Sequence, residues 1–232
     1  MTTPTRTSPK GGSGKREQRG KAARRQARQR LLIRGGLVTL VAVAGLYALT
    51  RSGGDDSGTG SSGGPPFAVG SPGPGSPAPA IRLESTAGGD YDLATDGADK
   101  TVLLYFQEGI GCQPCWDQMT DIEDRFEEFQ ALGIDEMVTV TVDDLDDLRR
   151  KVDDEAITST VLADPDVSLG DTYTANQYGM MGTSTYGHTF IVVGPDGEIR
   201  WRADYGGSPE YTMYVRPDAL LEDLRAGLAA AP

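Results

Sequence analysis

Cys112 and Cys115 are the only cysteines in 232 residues, and they sit between a continuous apolar run, Thr101 to Phe106, and a segment of helical apolar spacing, Trp116 to Leu132. Few arrangements narrow a chain's options more. An apolar run of that length, rich in Val and Leu, is what a strand buried on both faces looks like, and such a strand needs a packed layer on either side of its sheet. A cysteine pair spaced i and i+3 at the start of the following helix can close a small disulfide ring, and the helix N-terminus favours the thiolate of the first sulfur. A purely structural disulfide is the plainer alternative, although so small a ring removes little entropy from the unfolded chain. Supply argues against structural zinc: such a site normally takes four ligands, from two cysteine pairs or added histidines, and the chain has one pair and a single histidine, His188.

The rest of the C-terminal part follows the same alternation. Ile81 to Ser85 and Tyr91 to Ala94 flank Gly88-Gly89-Asp90 and read as a short hairpin. Trp116, Met119, Ile122, Phe126, Phe129 and Leu132 recur at spacings of three and four, with Gly133 as a stop. Met137 to Val142 and Thr160 to Ala163 read as strands, with a charged surface helix over Asp144 to Asp153 between them. Phe190 to Val193 and Glu198 to Ala203 flank Gly194-Pro195-Asp196-Gly197, a strong turn signal. Pro217 to Leu228 carries Leu220, Leu221, Leu224 and Leu228 on one face of a closing helix. This order predicts an α/β fold: a central mixed sheet flanked by helices, with the dithiol at the carboxyl end of a strand, where sites in such sheets collect.

Charge divides the chain. Residues 1–34 hold 11 Lys and Arg against one acid, and the remainder holds 11 against 33. Between them Leu31 to Thr50 is apolar except for Arg34 and long enough for a bilayer, which takes about 20 such residues. Basic residues on its N-terminal side orient that end toward the cytoplasm and the rest outward. A cleaved signal peptide is the competing reading; the long basic front and the lack of a small-x-small cleavage site favour a retained anchor. The basic run is read as a topology signal and not as a nucleic-acid site. The organisation expected is therefore a basic disordered cytoplasmic tail (1–30), a transmembrane helix (31–50), a Gly/Ser/Pro-rich disordered linker (51–79) and one domain (80–232).

On Val102-Leu-Leu-Tyr-Phe106, Cys112-Gln-Pro-Cys115, Val140-Thr-Val-Asp143 and Thr189-Phe-Ile-Val-Val-Gly-Pro-Asp-Gly-Glu-Ile199, the domain resembles the thioredoxin-like superfamily, in particular membrane-tethered redoxins of the TlpA and ResA type. The resemblance implies a thioredoxin-like fold, thiol-disulfide exchange with proteins and an extracytoplasmic address. It implies partners too: extracytoplasmic proteins bearing thiols or disulfides, apocytochrome cysteines among them, and a transmembrane thiol carrier if the role is reductive. No cofactor beyond the disulfide is implied. Two departures stand out. Gly111 replaces the tryptophan usual before the first cysteine, in a loop about one residue longer, and His188 replaces the proline that normally faces the disulfide in a cis bond.

Within this reading Cys112 attacks and Cys115 resolves. Pro114, in the first helical turn, lacks only an amide proton the turn does not use, and with Gln113 it tunes the couple. Gly187, His188 and Thr189 are expected in the substrate-holding loop. Trp116 either shields the site or belongs to the core. Glu108, the nearest acid upstream, is either a proton carrier for Cys115 or a solvated loop carboxylate. His188 either donates to a thiolate, ligates a soft metal, or packs without chemistry.

Two rival functions follow. A peroxidase of the peroxiredoxin kind carries Pro-x-x-x-Thr/Ser-x-x-Cys, and counting back from Cys112 gives Tyr105 and Gly109 instead. A copper-binding assembly factor resembling the Sco proteins would use Cys112, Cys115 and His188 on Cu(I), with Met180 and Met181 as further thioether donors.

Overall fold

The computed structural model describes residues 66–208 and 211–230. The expected cytoplasmic tail, the transmembrane helix at 31–50 and the linker up to residue 65 lie outside the described residues. Among the described residues no helix is long and apolar enough to cross a membrane.

The elements are β1 (Arg82–Ser85), β2 (Asp90–Asp92), α1 (Leu93–Asp96), β3 (Val102–Phe106), α2 (Gln113–Asp124), α3 (Phe126–Gln130), β4 (Glu136–Thr141), α4 (Leu145–Glu155), β5 (Thr160–Ala163), α5 (Gly170–Tyr173), a 3₁₀ turn at Ala175–Gln177, β6 (Thr189–Val193), β7 (Ile199–Asp204) and α6 (Pro217–Ala230). The strands form one mixed sheet in the order β2-β1-β5-β4-β3-β6-β7. β3, β4 and β5 run parallel, and antiparallel strands close both sides. β3 is buried along its whole length, as its continuous apolar sequence predicts.

Strand alternation sorts the core into two layers. Leu103 and Tyr105 of β3 join Phe190, Val192 and Trp201 under α2, α3 and α6. Val102, Leu104 and Phe106 point the other way, against Ile81, Leu93, Tyr173 and Tyr186. The helix after the cysteines differs from the single run expected. It starts three residues earlier, at Gln113, and breaks at Arg125, whose backbone leaves helical geometry (φ −120°, ψ 20°). The Arg125 guanidinium there bonds Glu128 and Asp218 of α6. The apolar period runs through the break, since Phe129 is buried and Phe126 and Leu132 pack on the same core. Gly133 stops the segment at positive φ, as expected.

Residues 66–79 correct the boundary drawn at 80. Composition assigned them to a disordered linker, because Gly, Ser and Pro cannot form a core of their own. They form a strap along the outer edge of β7 instead, pairing their backbone where a sheet edge offers unpaired groups. Asp204 N–H donates to Ala68 O, Gly75 N–H to Ile199 O and Ile199 N–H to Ser76 O. Phe67, the one large apolar residue near the start of the strap, packs edge-on against Trp201 and Tyr205.

Candidate active site

The disulfide joins Cys112 and Cys115, with an S–S distance of 2.08 Å. Cys112 is the N-cap of α2 and has no side-chain cap, so its sulfur sits at the positive end of the helix dipole, where a thiolate is favoured. Cys112 is 9% exposed and Cys115 fully buried, so of the two cysteines only the first keeps any surface. Pro114 lies in the first turn and is exposed.

The approach loop is fixed by its own backbone. Gly109 takes a positive φ of 110°, and a Cβ there would run into the Asp143 carboxylate. Asp143, at the end of β4, accepts from Ile110 N–H at 2.8 Å and from the Thr141 hydroxyl at 3.0 Å. Gln107 Oε1 accepts from Gly109 N–H, and Trp116 Nε1 donates to Gly109 O at 3.1 Å. Trp116 is fully buried, which settles it as core and as a brace for the loop. Asp143 and Gln107 were not singled out from sequence. The turn they hold joins residues more than thirty positions apart, and no local pattern marks it.

Outside the ring, Gln113 donates to Asp117 and Glu155 and accepts from Lys151, whose ammonium lies 5.4 Å from the Trp116 ring centroid. Hydrogen bonds from Lys151 and Gln113 hold the Glu155 carboxyl below its ordinary range. Glu108 accepts from Met180 N–H at 3.2 Å, tying the redox loop to the loop before β6. Met180 and Met181 are exposed.

The register carries the site across the sheet. Phe106 pairs with Thr189, so His188 and Gln107 meet one step beyond the β3–β6 ladder, at the same end as the disulfide. Gly187, His188 and Thr189, expected to line the substrate, are buried. A Cβ at Gly187 would collide with the Tyr178 carbonyl, and the Thr189 hydroxyl donates to Asp204 Oδ1 at 2.8 Å. The Thr189 hydroxyl is thus engaged within the protein. The Gly187–His188 peptide is trans.

His188 is fully buried among Tyr105, Phe190 and Tyr205, three residues of the core cluster that also holds Cys112 and Cys115. Its Nδ1 lies 2.8 Å from the Tyr105 hydroxyl. Burial pushes the imidazole down to about 3, so the ring is neutral. Burial, with a smaller contribution from the Glu108 charge, pushes the Tyr105 hydroxyl well up. Among the described residues no three His, Cys, Asp or Glu side chains gather as a metal-binding group. In this oxidised form the sulfurs of Cys112 and Cys115 are bonded to each other and His188 Nδ1 to Tyr105.

A second polar centre was not anticipated. Arg202 and Asp204, both buried on β7, pair through two hydrogen bonds of 2.8 and 2.9 Å. Asp204 also accepts from Gly70 N–H at 2.6 Å, while Arg202 donates to Pro72 O at 3.1 Å and lies over the Tyr178 ring. This clasp locks the strap and the loop before β6 to the sheet.

Known proteins share this architecture. The chain resembles the peroxidoxin BcpB of Mycobacterium tuberculosis at 17% identity and TM-score 0.55, covering 66% of this chain and 97% of that one. A reduced 2-Cys peroxiredoxin of Plasmodium vivax matches at 18% identity and TM-score 0.54, over 66% and 94%. A peroxiredoxin 6 of Arenicola marina matches at 14% and 0.55, over 68% and 74%. At these identities the likeness is one of fold. No curated protein matches the chain. The profile of the AhpC/TSA family matches residues 74–202, beginning inside the strap and ending on β7. With a thioredoxin-like mixed sheet, a disulfide at the head of the first long helix and a family match over more than half its length, the chain belongs to the AhpC/TSA family of thioredoxin-fold redox proteins.

Proposed function

We propose that this protein is a thiol-disulfide oxidoreductase, held to the outer face of a membrane by residues 31–50, that exchanges disulfides with extracytoplasmic proteins. The observation that carries this reading is the asymmetry of the Cys112–Cys115 ring: Cys112, at the head of α2 between exposed neighbours, keeps 9% of its surface, while Cys115 is fully buried. In the reductive direction the Cys112 thiolate attacks a substrate disulfide, forming a mixed disulfide and releasing one substrate thiolate, which takes up a proton. Cys115 then loses its proton and attacks the Cys112 sulfur, closing the ring and releasing the second substrate thiol. The oxidative direction reverses both steps. Glu108, on the loop that leads to Cys112, serves the proton transfers in this reading.

A peroxidase is the second reading, favoured by the family and by its structural likenesses. Tyr105 and Gly109 stand where the peroxide-activating Pro and Thr or Ser would be relative to Cys112, which supports disulfide exchange over peroxide reduction. Two measurements on the full chain separate them. The Cys115→Ser variant is expected to accumulate a mixed disulfide through Cys112 with a specific extracytoplasmic partner, and the reduced protein to consume hydrogen peroxide no faster than a free dithiol. Rapid peroxide turnover with no trapped partner would replace this function by the second.

A further inference from the structure

Of seven buried side-chain atoms without a protein partner among the described residues, four lie on or under α2: Gln107 Nε2, Gln118 Nε2, Thr139 Oγ1 and His188 Nε2. Their positions are not scattered. Thr139 and Tyr105 are cross-strand partners, and Tyr105 in turn pairs with Phe190. Thr139 alternates with Val138 and Val140, which face the opposite layer, so it shares the face of Tyr105. Gln107 and His188 extend that face by one residue at the disulfide end, and Gln118, buried on α2, spends its Oε1 on Val215 N–H and leaves its Nε2 without a partner. A buried donor without an acceptor costs about 1–3 kcal/mol, so such a row in a native core calls for a function.

The tautomer of His188 follows from counting partners. If Tyr105 O–H donates to Nδ1, one orphan remains, the Nε2–H; if Nδ1–H donates to Tyr105, both the phenol proton and the Nε2 lone pair are stranded. The neutral ring and undissociated phenol favour the first arrangement. Tyr105 thereby holds His188 with a buried N–H donor in the aromatic pocket of the cluster that contains Cys115.

We infer that His188, oriented by Tyr105 and assisted by Gln107, is a positioning residue for the reduced state, its Nε2–H reserved for the sulfur of Cys115 once the ring opens. This rests on the exchange reading above. In the disulfide Cys115 has both valences filled by carbon and sulfur, and its sulfur is a poor acceptor. When a dithiol passes two electrons and two protons to the ring, its own sulfurs joining as a disulfide, Cys115 becomes a thiol or thiolate with lone pairs to offer. The orphan donor then gains its partner, and the couple is biased toward reduction. A merely structural histidine would stabilise both redox forms alike and leave the potential unmoved.

Because His188 is the only histidine, its ring nitrogens can be followed by NMR in the unsubstituted full chain, labelled on histidine. Opening the disulfide with a phosphine should preserve the Nε2–H tautomer and shift the Nε2 resonance; an unchanged resonance overturns the inference. In glutathione buffers, His188→Phe should disfavour the reduced form about tenfold, lowering the potential by about 30 mV. Should that variant fail to fold, Tyr105→Phe releases the ring and is expected to shift the potential in the same direction by less. A potential equal to the wild type, or higher, in whichever variant folds also overturns it. If the native disulfide never equilibrates with glutathione, the exchange reading fails, while the phosphine experiment still decides the role of His188.

Discussion

The redox end of β3 and the clasp on the edge strand β7 are both set into the core, but they draw on opposite ranges of sequence. The ring closes over three residues and takes its geometry from the start of one helix. The clasp joins Asp204 and Arg202 to backbone groups at Gly70 and Pro72, 134 and 130 residues away. A short-range site can be rearranged locally, opening one bond without disturbing its support. A long-range one is all or nothing, because each partner is buried only while the others are.

Breaking the clasp should therefore be the most costly single change. Asp204→Leu strands a fully buried guanidinium and removes the acceptor for Gly70 N–H and the Thr189 hydroxyl. A loss of about 3–5 kcal/mol is expected in urea unfolding. Arg202→Met combined with Asp204→Leu should recover part of it, since no unpaired charge then remains. A single substitution costing under about 1 kcal/mol would mean that the strap and loop are held by something other than this pair.

The same difference in range governs what could be read from sequence. The strands at 102–106, 136–141 and 160–163, the hairpin at 189–204 and the closing helix were legible because each declares itself by period and turn residues within its own span. Cys112 and Cys115 were legible for the same reason. Arg202 and Asp204 look like polar positions on an edge strand until Gly70 and Pro72 are brought beside them, and a Gly/Ser/Pro segment gives no sign that β7 offers it an edge. The short elements at 170–177 were missed because Gly170-Asp-Thr-Tyr173 is too brief to show a period, its tyrosine being buried by contact with Phe106. Burial of His188 followed from the register of β3 with β6, which no single segment specifies.

A second test separates the buried part of the redox end from its surface. His188 takes up a proton near 6.5 in the unfolded chain and only near 3 in the folded one. Between those values the unfolded state binds more protons, so stability is full above pH 6.5 and falls as the pH drops toward 3. By pH 5 the loss from this group alone is about 2 kcal/mol. Urea midpoints at pH 7 and pH 5 measure it, and His188→Phe should flatten the difference by that amount. If the variant retains the full pH dependence, the carboxylates carry it, and burial of the ring is unconnected with acid sensitivity.

The smallest effect is expected where the redox end meets solvent. Glu155, Lys151 and Gln113 form a network over the first turn of α2, one residue from Cys112, and its placement suggests control of the couple. Exposure argues otherwise. The Glu155 and Lys151 side chains keep 26% and 19% of their surface in water, where an ion pair contributes about 0–1 kcal/mol and salt screens it further. Glu155→Gln removes the charge but retains a hydrogen-bonding group for Gln113. It should change unfolding free energy by less than about 0.5 kcal/mol and the potential by less than about 15 mV, both differences vanishing in high salt. A larger, salt-independent shift would show that the surface network and not the buried row under α2 sets the balance between dithiol and disulfide. The contrast between a tuned interior and an indifferent surface would then have to be reversed.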